Sequence, residues 1–139
     1  MMTFEKVNKV GVVLKADIDG EVIEGMVTGT GVHRGELVVD LVVDGEGRFV
    51  YLSQIVKVTG NRKGDVLDFE EVRYLKEGTK LDILIDMEPY DGAILEKKAY
   101  KRGGKFEITF KHKAKGEKMK RYKVSEDNVE DFDFALPEE

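Results

Sequence analysis

The sequence predicts an all-β protein of two tandem small barrels, and three observations carry that reading. Apolar residues alternate with period two: Lys15 and Asp17 separate Leu14, Ala16 and Ile18, and Glu107 and Thr109 separate Phe106, Ile108 and Phe110. The 139 residues include 15 Gly but only 2 Pro, which suits a chain of many tight turns. An internal repeat covers most of the chain, each copy being about fifty residues with room for four or five strands. A sheet of that size buries its apolar face by curling into a small barrel or by packing on its twin. The first barrel is placed at residues 1–64 and the second at 65–139, the latter ending in an acidic segment.

The repeat justifies the strands in order. With Gly11 set against Gly78, the pairs Gly11/Gly78, Leu14/Leu81, Ile18/Ile85, Asp19/Asp86 and Gly25/Gly92 are identical without a gap, and Met26-Val27 falls opposite Ala93-Ile94. Gly35-Glu-Leu-Val-Val-Asp-Leu then matches Gly104-Lys-Phe-Glu-Ile-Thr-Phe, and Val50-Tyr-Leu-Ser53 matches Tyr122-Lys-Val-Ser125. Turns are expected at Asp19-Gly20, Gly29-Thr30-Gly31, 44–47, 60–64 and Gly103-Gly104. Between the copies two readings stand. Phe69, Val72 and Leu75 recur at helical spacing within 68–76, while residues 66–72 also fit a strand returning from the turn at 60–64.

The copies resemble SH3-like barrels of the Tudor/Agenet/KOW group. Gly78-Thr-Lys-Leu-Asp-Ile-Leu looks like the first strand, Tyr90-Asp-Gly-Ala-Ile-Leu-Glu like the second, and Gly104-Lys-Phe-Glu-Ile-Thr-Phe like the third. Arg121-Tyr-Lys-Val-Ser-Glu-Asp-Asn-Val resembles the fourth strand running into a short terminal turn. The first copy fits through residues 11–16, 24–27, 36–43 and 49–55. The resemblance implies a fold of two tandem SH3-like barrels. For Tudor-like members it also implies an aromatic cage for methylated Lys or Arg. Tyr90 and Phe110 fall where such walls would stand, but Phe110 is in phase with core residues, and Ile23 and Leu41 at the matching places have no π faces.

Several functions are excluded by composition. Cys is absent, which removes disulfide scaffolds, thiolate metal sites and cysteine nucleophiles. His33, in an expected loop, and His112, in a Lys run, are the only histidines. Ser53 and Ser125 are the only serines, and the repeat gives them matching structural places at the end of a strand. The glycines from Gly25 to Gly35 lack the Gly-Lys-Ser/Thr ending of a phosphate loop. A non-enzyme without metal, cofactor or small-molecule substrate is expected. No apolar run approaches the ~20 residues of a membrane span, and the start lacks a signal-peptide core, so a cytoplasmic protein is expected.

Charge carries the functional signal. The net charge of −5 conceals a block at 97–125 with 12 basic residues against Glu107 and Glu117, a net of +10, followed by seven acids and no base in 126–139. Lys97, Lys98, Lys101, Arg102 and Lys105 surround the Gly103-Gly104 turn, while Lys111, Lys113, Lys120 and Arg121 flank the next one. If 93–101, 105–111 and 119–124 are neighbouring strands, these charges share the face opposite Ile94, Phe106, Ile108 and Phe110, with Tyr100 and Tyr122 as stacking platforms for single-stranded nucleic acid or RNA. The alternative is a protein-binding adaptor or inhibitor that docks through its barrels and acidic C-terminal segment. That segment alternates Phe132, Phe134 and Leu136 with Asp131 and Asp133, so it also reads as a last strand.

Overall fold

The computed structural model describes residues 3–100 and 102–138. The protein is all-β and separates into two compact units, Met1–Lys63 and Gly64–Glu139. The first unit opens with a single helical turn, α1 (Phe4–Val7), followed by β1 (Val12–Ile18), β2 (Glu21–His33), β3 (Glu36–Val43) and β4 (Glu46–Tyr51). A 3-10 turn at Leu52–Gln54 leads into β5 (Ile55–Asn61), which returns to pair with β1, so the sheet order is β4-β3-β2-β1-β5. The second unit consists of β6 (Val66–Leu67), α2 (Phe69–Val72), β7 (Lys80–Ile85), β8 (Glu88–Tyr100), β9 (Phe106–His112) and β10 (Lys120–Ser125). A 3-10 turn at Val129–Asp131 and β11 (Phe132–Ala135) complete it. Its order, β10-β9-β8-β7-β11-β6, repeats the first with one strand added at the end. Each sheet keeps two ends; among the described residues no ladder closes either into a ring.

The period-two pattern sets the interior. Leu14 and Ala16 of β1 join Ile23, Val27, Val39, Leu41, Val50 and Ile55 in the first core, closed over by Val7 of α1. Leu81, Ile83, Leu95, Phe106, Ile108, Phe110, Val124 and Phe134 are buried in the second unit. Residues 66–76 are divided between the two expected structures. Val66 and Leu67 form a strand of two residues; then Asp68 accepts a hydrogen bond from the Glu71 N–H at 2.8 Å, while Glu71 accepts from the Asp68 N–H at 3.2 Å. This reciprocal cap starts one helical turn, which ends with buried Val72. The sequence Phe4-Glu-Lys-Val7 is the counterpart of Phe69-Glu-Glu-Val72, so the repeat begins earlier than Gly11.

The structure corrects the turns and the repeat at four places. Gly29-Thr30-Gly31 is no turn but the middle of β2; the reversal is made by Arg34 and Gly35, both with positive φ, and His33 is the last residue of the strand. Gly60 and Asn61 belong to β5. Gly11 and Gly78 are true counterparts, each with a left-handed backbone and an N–H donating to β2 or β8, at Val27 (3.0 Å) and Leu95 (2.7 Å). Gly25, however, corresponds to Ala93 and not to Gly92. Leu14 pairs with Gly25 whereas Leu81 pairs with Ala93, because Asp91 and Gly92 bulge opposite Asp82, whose carboxylate accepts the Gly92 N–H at 2.9 Å. Val50 corresponds to Val124, since they pair with Val39 and Ile108. Ser53 and Ser125 are therefore not equivalent. Ser125 takes the place of Tyr51, each donating its N–H to an amide oxygen three residues on, Asn128 at 2.8 Å and Gln54 at 2.9 Å.

Within the acidic C-terminal stretch, Phe132–Ala135 form the last strand. Phe134 and Leu136 are buried, and β11 is held between β7 and β6. Among the described residues no helix is long and apolar enough to cross a membrane.

Candidate nucleic-acid interface

The three strands β8, β9 and β10 form an antiparallel ribbon, and their register decides which charges share a face. Leu95 pairs with Phe110 and Phe110 with Tyr122, which puts these three side chains toward the core. Ile94 pairs with Lys111 and Lys111 with Arg121, so they lie on the outer face. Glu96 then forms a bulge, and the phase of β8 reverses. Lys97 pairs with Thr109 on the outer face, while Lys98 and Tyr100 pair with the buried Ile108 and Phe106 on the inner one. Ile94 is thus an outer residue, contrary to the simple alternation.

The outer face gathers Lys97, Lys111, Arg121 and Lys123 around Thr109. An open groove of about 630 Å³ crosses it, lined by Glu77, Glu96, Lys97, Lys98, Thr109, Arg121 and Lys123. Its central contact is a two-point ion pair: the Arg121 Nε donates to Glu96 Oε2 at 2.7 Å, and a terminal nitrogen donates to Oε1 at 3.0 Å. These bonds hold the Glu96 carboxyl below the usual carboxylate range, opposed by burial and helped by the charges of Arg121, Lys111 and Lys97. The same bonds raise the Arg121 guanidinium. A depressed carboxylate contributes above its unfolded pKa and loses that contribution as pH falls through the folded one, so protonation of Glu96 weakens this pair only in acid. Because Glu96 holds Arg121, Glu96→Gln should tighten the binding of any polyanion that docks on this face by about threefold at low salt. Fluorescence anisotropy with a labelled oligonucleotide checks this; unchanged affinity would show that Arg121 takes no part.

The other expected site residues lie elsewhere. Lys98 and Tyr100 are turned to α2: the Lys98 ammonium donates to the Arg73 carbonyl at 3.3 Å, and the Tyr100 hydroxyl accepts from the Arg73 guanidinium at 3.3 Å. Burial pushes the Lys98 ammonium down. Arg73 itself lies 4.8 Å from the Phe106 ring centre and bonds Glu70, so this cluster fastens α2 to the ribbon. Lys105 is paired with Asp127 at 2.9 Å, which raises its ammonium, and Lys120 lies 3.9 Å from Glu117. Arg102 and Lys113 are exposed in the turns at either end of the ribbon, and Lys101 falls outside the described residues.

Tyr122 is on the inner side, away from Arg121 and Lys123. Its ring centre lies 5.1 Å from that of Tyr90, and His112 meets Tyr90 edge-on at 5.4 Å. His112 is therefore packed rather than loose in a lysine run, and its Nε2 lies 3.1 Å from the Asp91 carbonyl. Glu88 accepts from the Tyr90 hydroxyl at 3.5 Å. The ring group could be found from sequence only through the strand register, since its members are separated by 22 and 10 positions. Phe110 is wholly buried and is no wall of this group. In the first unit the His33 ring lies tilted at 4.8 Å from Phe49, with Tyr51 edge-on at 5.9 Å from Phe49, a second ring group the sequence did not announce.

Among the described residues no group of His, Asp and Glu is arranged to hold a metal ion. No protein-family model matches the chain, and neither a curated protein nor a solved structure matches it.

Proposed function

We propose that this chain is a non-catalytic protein that binds single-stranded nucleic acid or RNA through the phosphate backbone, on the outer face of the β8–β10 ribbon. The observation that carries the reading is the convergence of Lys97, Lys111, Arg121 and Lys123 on one face, where Lys97, Arg121 and Lys123 line a groove. Exposed cations spaced along neighbouring strands neutralise phosphates and release counterions without reading bases. The tyrosines expected to stack bases lie on the opposite side, which favours backbone contact over base readout. The strand order supports the SH3-like reading of each unit: a four-strand meander, a 3-10 turn and a last strand returning to the first.

The triple variant Lys97→Glu, Lys111→Glu and Lys123→Glu tests this. Affinity for a labelled oligonucleotide at about 50 mM salt should fall on the order of 100-fold, and the slope of log K against log salt should flatten by about 2. Wild-type protein that shows no binding at that salt would overturn the reading. A second reading rests on the Tyr90, His112 and Tyr122 rings beside Glu88 and Asp91, a setting for a methylated Lys or Arg side chain of a protein partner. A trimethyl-lysine peptide in the same titration, bound equally by the triple variant and lost in Tyr90→Ala, would favour that reading.

A further inference from the structure

The two units leave the outer edge of their last strand in different states. In the second unit β11 is paired on both sides. On the side away from β7, Phe134 and Ala135 pair with Leu67 and Val66, the Leu136 N–H donates to the Asp65 carbonyl at 3.1 Å, and the Gly64 N–H donates to the Leu136 carbonyl at 2.8 Å. The covering piece is thus an apolar pair held between two acids, Asp65-Val66-Leu67-Asp68.

The matching strand of the first unit is β5. Ala16 and Ile83 hold the same place in β1 and β7, and they pair with Ile55 and Phe134, both buried. Beyond that point the units part. Among the described residues β5 pairs with β1 alone and ends the sheet, and Val56 and Val58 are 58% and 41% exposed. Such an edge presents unpaired backbone groups to another chain. Of the other sheet ends, β10 is guarded by Lys120, Arg121 and Lys123, β6 is only two residues long, and β4 carries Glu46 and Arg48. On β5 two valines flank a single Lys57.

We propose that the β5 edge receives an extended segment of a protein partner, an apolar pair flanked by acids, which adds a strand to the first sheet. The chain's own second unit supplies the precedent for the added strand and its apolar pair, since Leu67 and Val66 pair with Phe134 and Ala135, while the charge beside β5 sets the flanks. Residues 55–63 hold Lys57, Arg62 and Lys63 with no acid, whereas residues 64–71 hold Asp65, Asp68, Glu70 and Glu71 with no base. Backbone bonds along the edge give affinity, Val56 and Val58 give the apolar contact, and the basic side chains select acidic flanks. This binding is independent of the basic face of the second unit.

The test titrates the isotope-labelled full chain with a synthetic peptide of residues 64–71, blocked at both ends, and follows the amide resonances. Shifts should concentrate at residues 55–59 and at their partners on β1. Lys57→Glu, which faces Lys15 and so leaves the fold intact, should weaken binding about tenfold, as should replacing the peptide's acids by amides. A scrambled peptide binding equally well, shifts centred on 111–123 instead, or no shift at millimolar peptide would each overturn the proposal.

Discussion

Phe110→Ala should be the most destabilising single change in the second unit, at about 3–5 kcal/mol, out of a total that for domains of this size is about 5–15. The ring is wholly buried, stacks on Phe134 at 5.7 Å between ring centres, and sits between Leu95 of β8 and Tyr122 of β10. Truncation removes its apolar surface from the core and leaves a cavity that neighbours on paired strands cannot fill, since each is held in register by its own ladder. Urea unfolding followed by circular dichroism measures the effect. A loss under about 1 kcal/mol would mean that β9 is not the centre of this core.

Gly25→Ala should be the costliest glycine substitution, by about 3 kcal/mol. A Cβ on Gly25 would meet the Val42 carbonyl oxygen at 2.5 Å and Val43 Cγ2 at 2.7 Å. The oxygen belongs to the β3 backbone, so relief requires moving a strand rather than turning a side chain. Gly45 gives the contrast: its φ of 79° strains an alanine, but nothing lies within 4 Å of the added atom. Gly45→Ala should then lose only about 1 kcal/mol. The two variants compared by urea midpoint decide the matter, and equal losses would show that β2 and β3 separate easily at this point. At the matching place in the second unit Ala93 already carries a Cβ and is fully buried.

The basic ribbon was legible in part. Charge clustering pointed to the strands around Gly103 and Gly116, and the pairing of residues 94–100, 106–112 and 120–125 does bring their cations together. Which cations share a face was not legible. Lys98 and Tyr100 went to α2, and Lys105 went to Asp127, because packing and pairing partners for them come from segments about 20 residues or more away.

What the sequence determined by itself was local. Alternation at Leu14–Ile18 and Phe106–Phe110 requires strands with one buried face, since a side-chain period of two has no other folded solution. The identical Gly11 and Gly78 mark equivalent backbone positions because only glycine takes φ near 100° and 93° without strain. The tertiary structure alone decided where the alternation breaks. The bulges at Asp91-Gly92 and Glu96 shift the pairing of β8 against its two neighbours, once on each side. A bulge belongs to a pair of strands and not to either one, so no period in a single strand announces it. The same holds for the bare edge of β5 beside the covered edge of β11: an edge is defined by the strand that is or is not next to it, and that neighbour is set by the sheet as a whole.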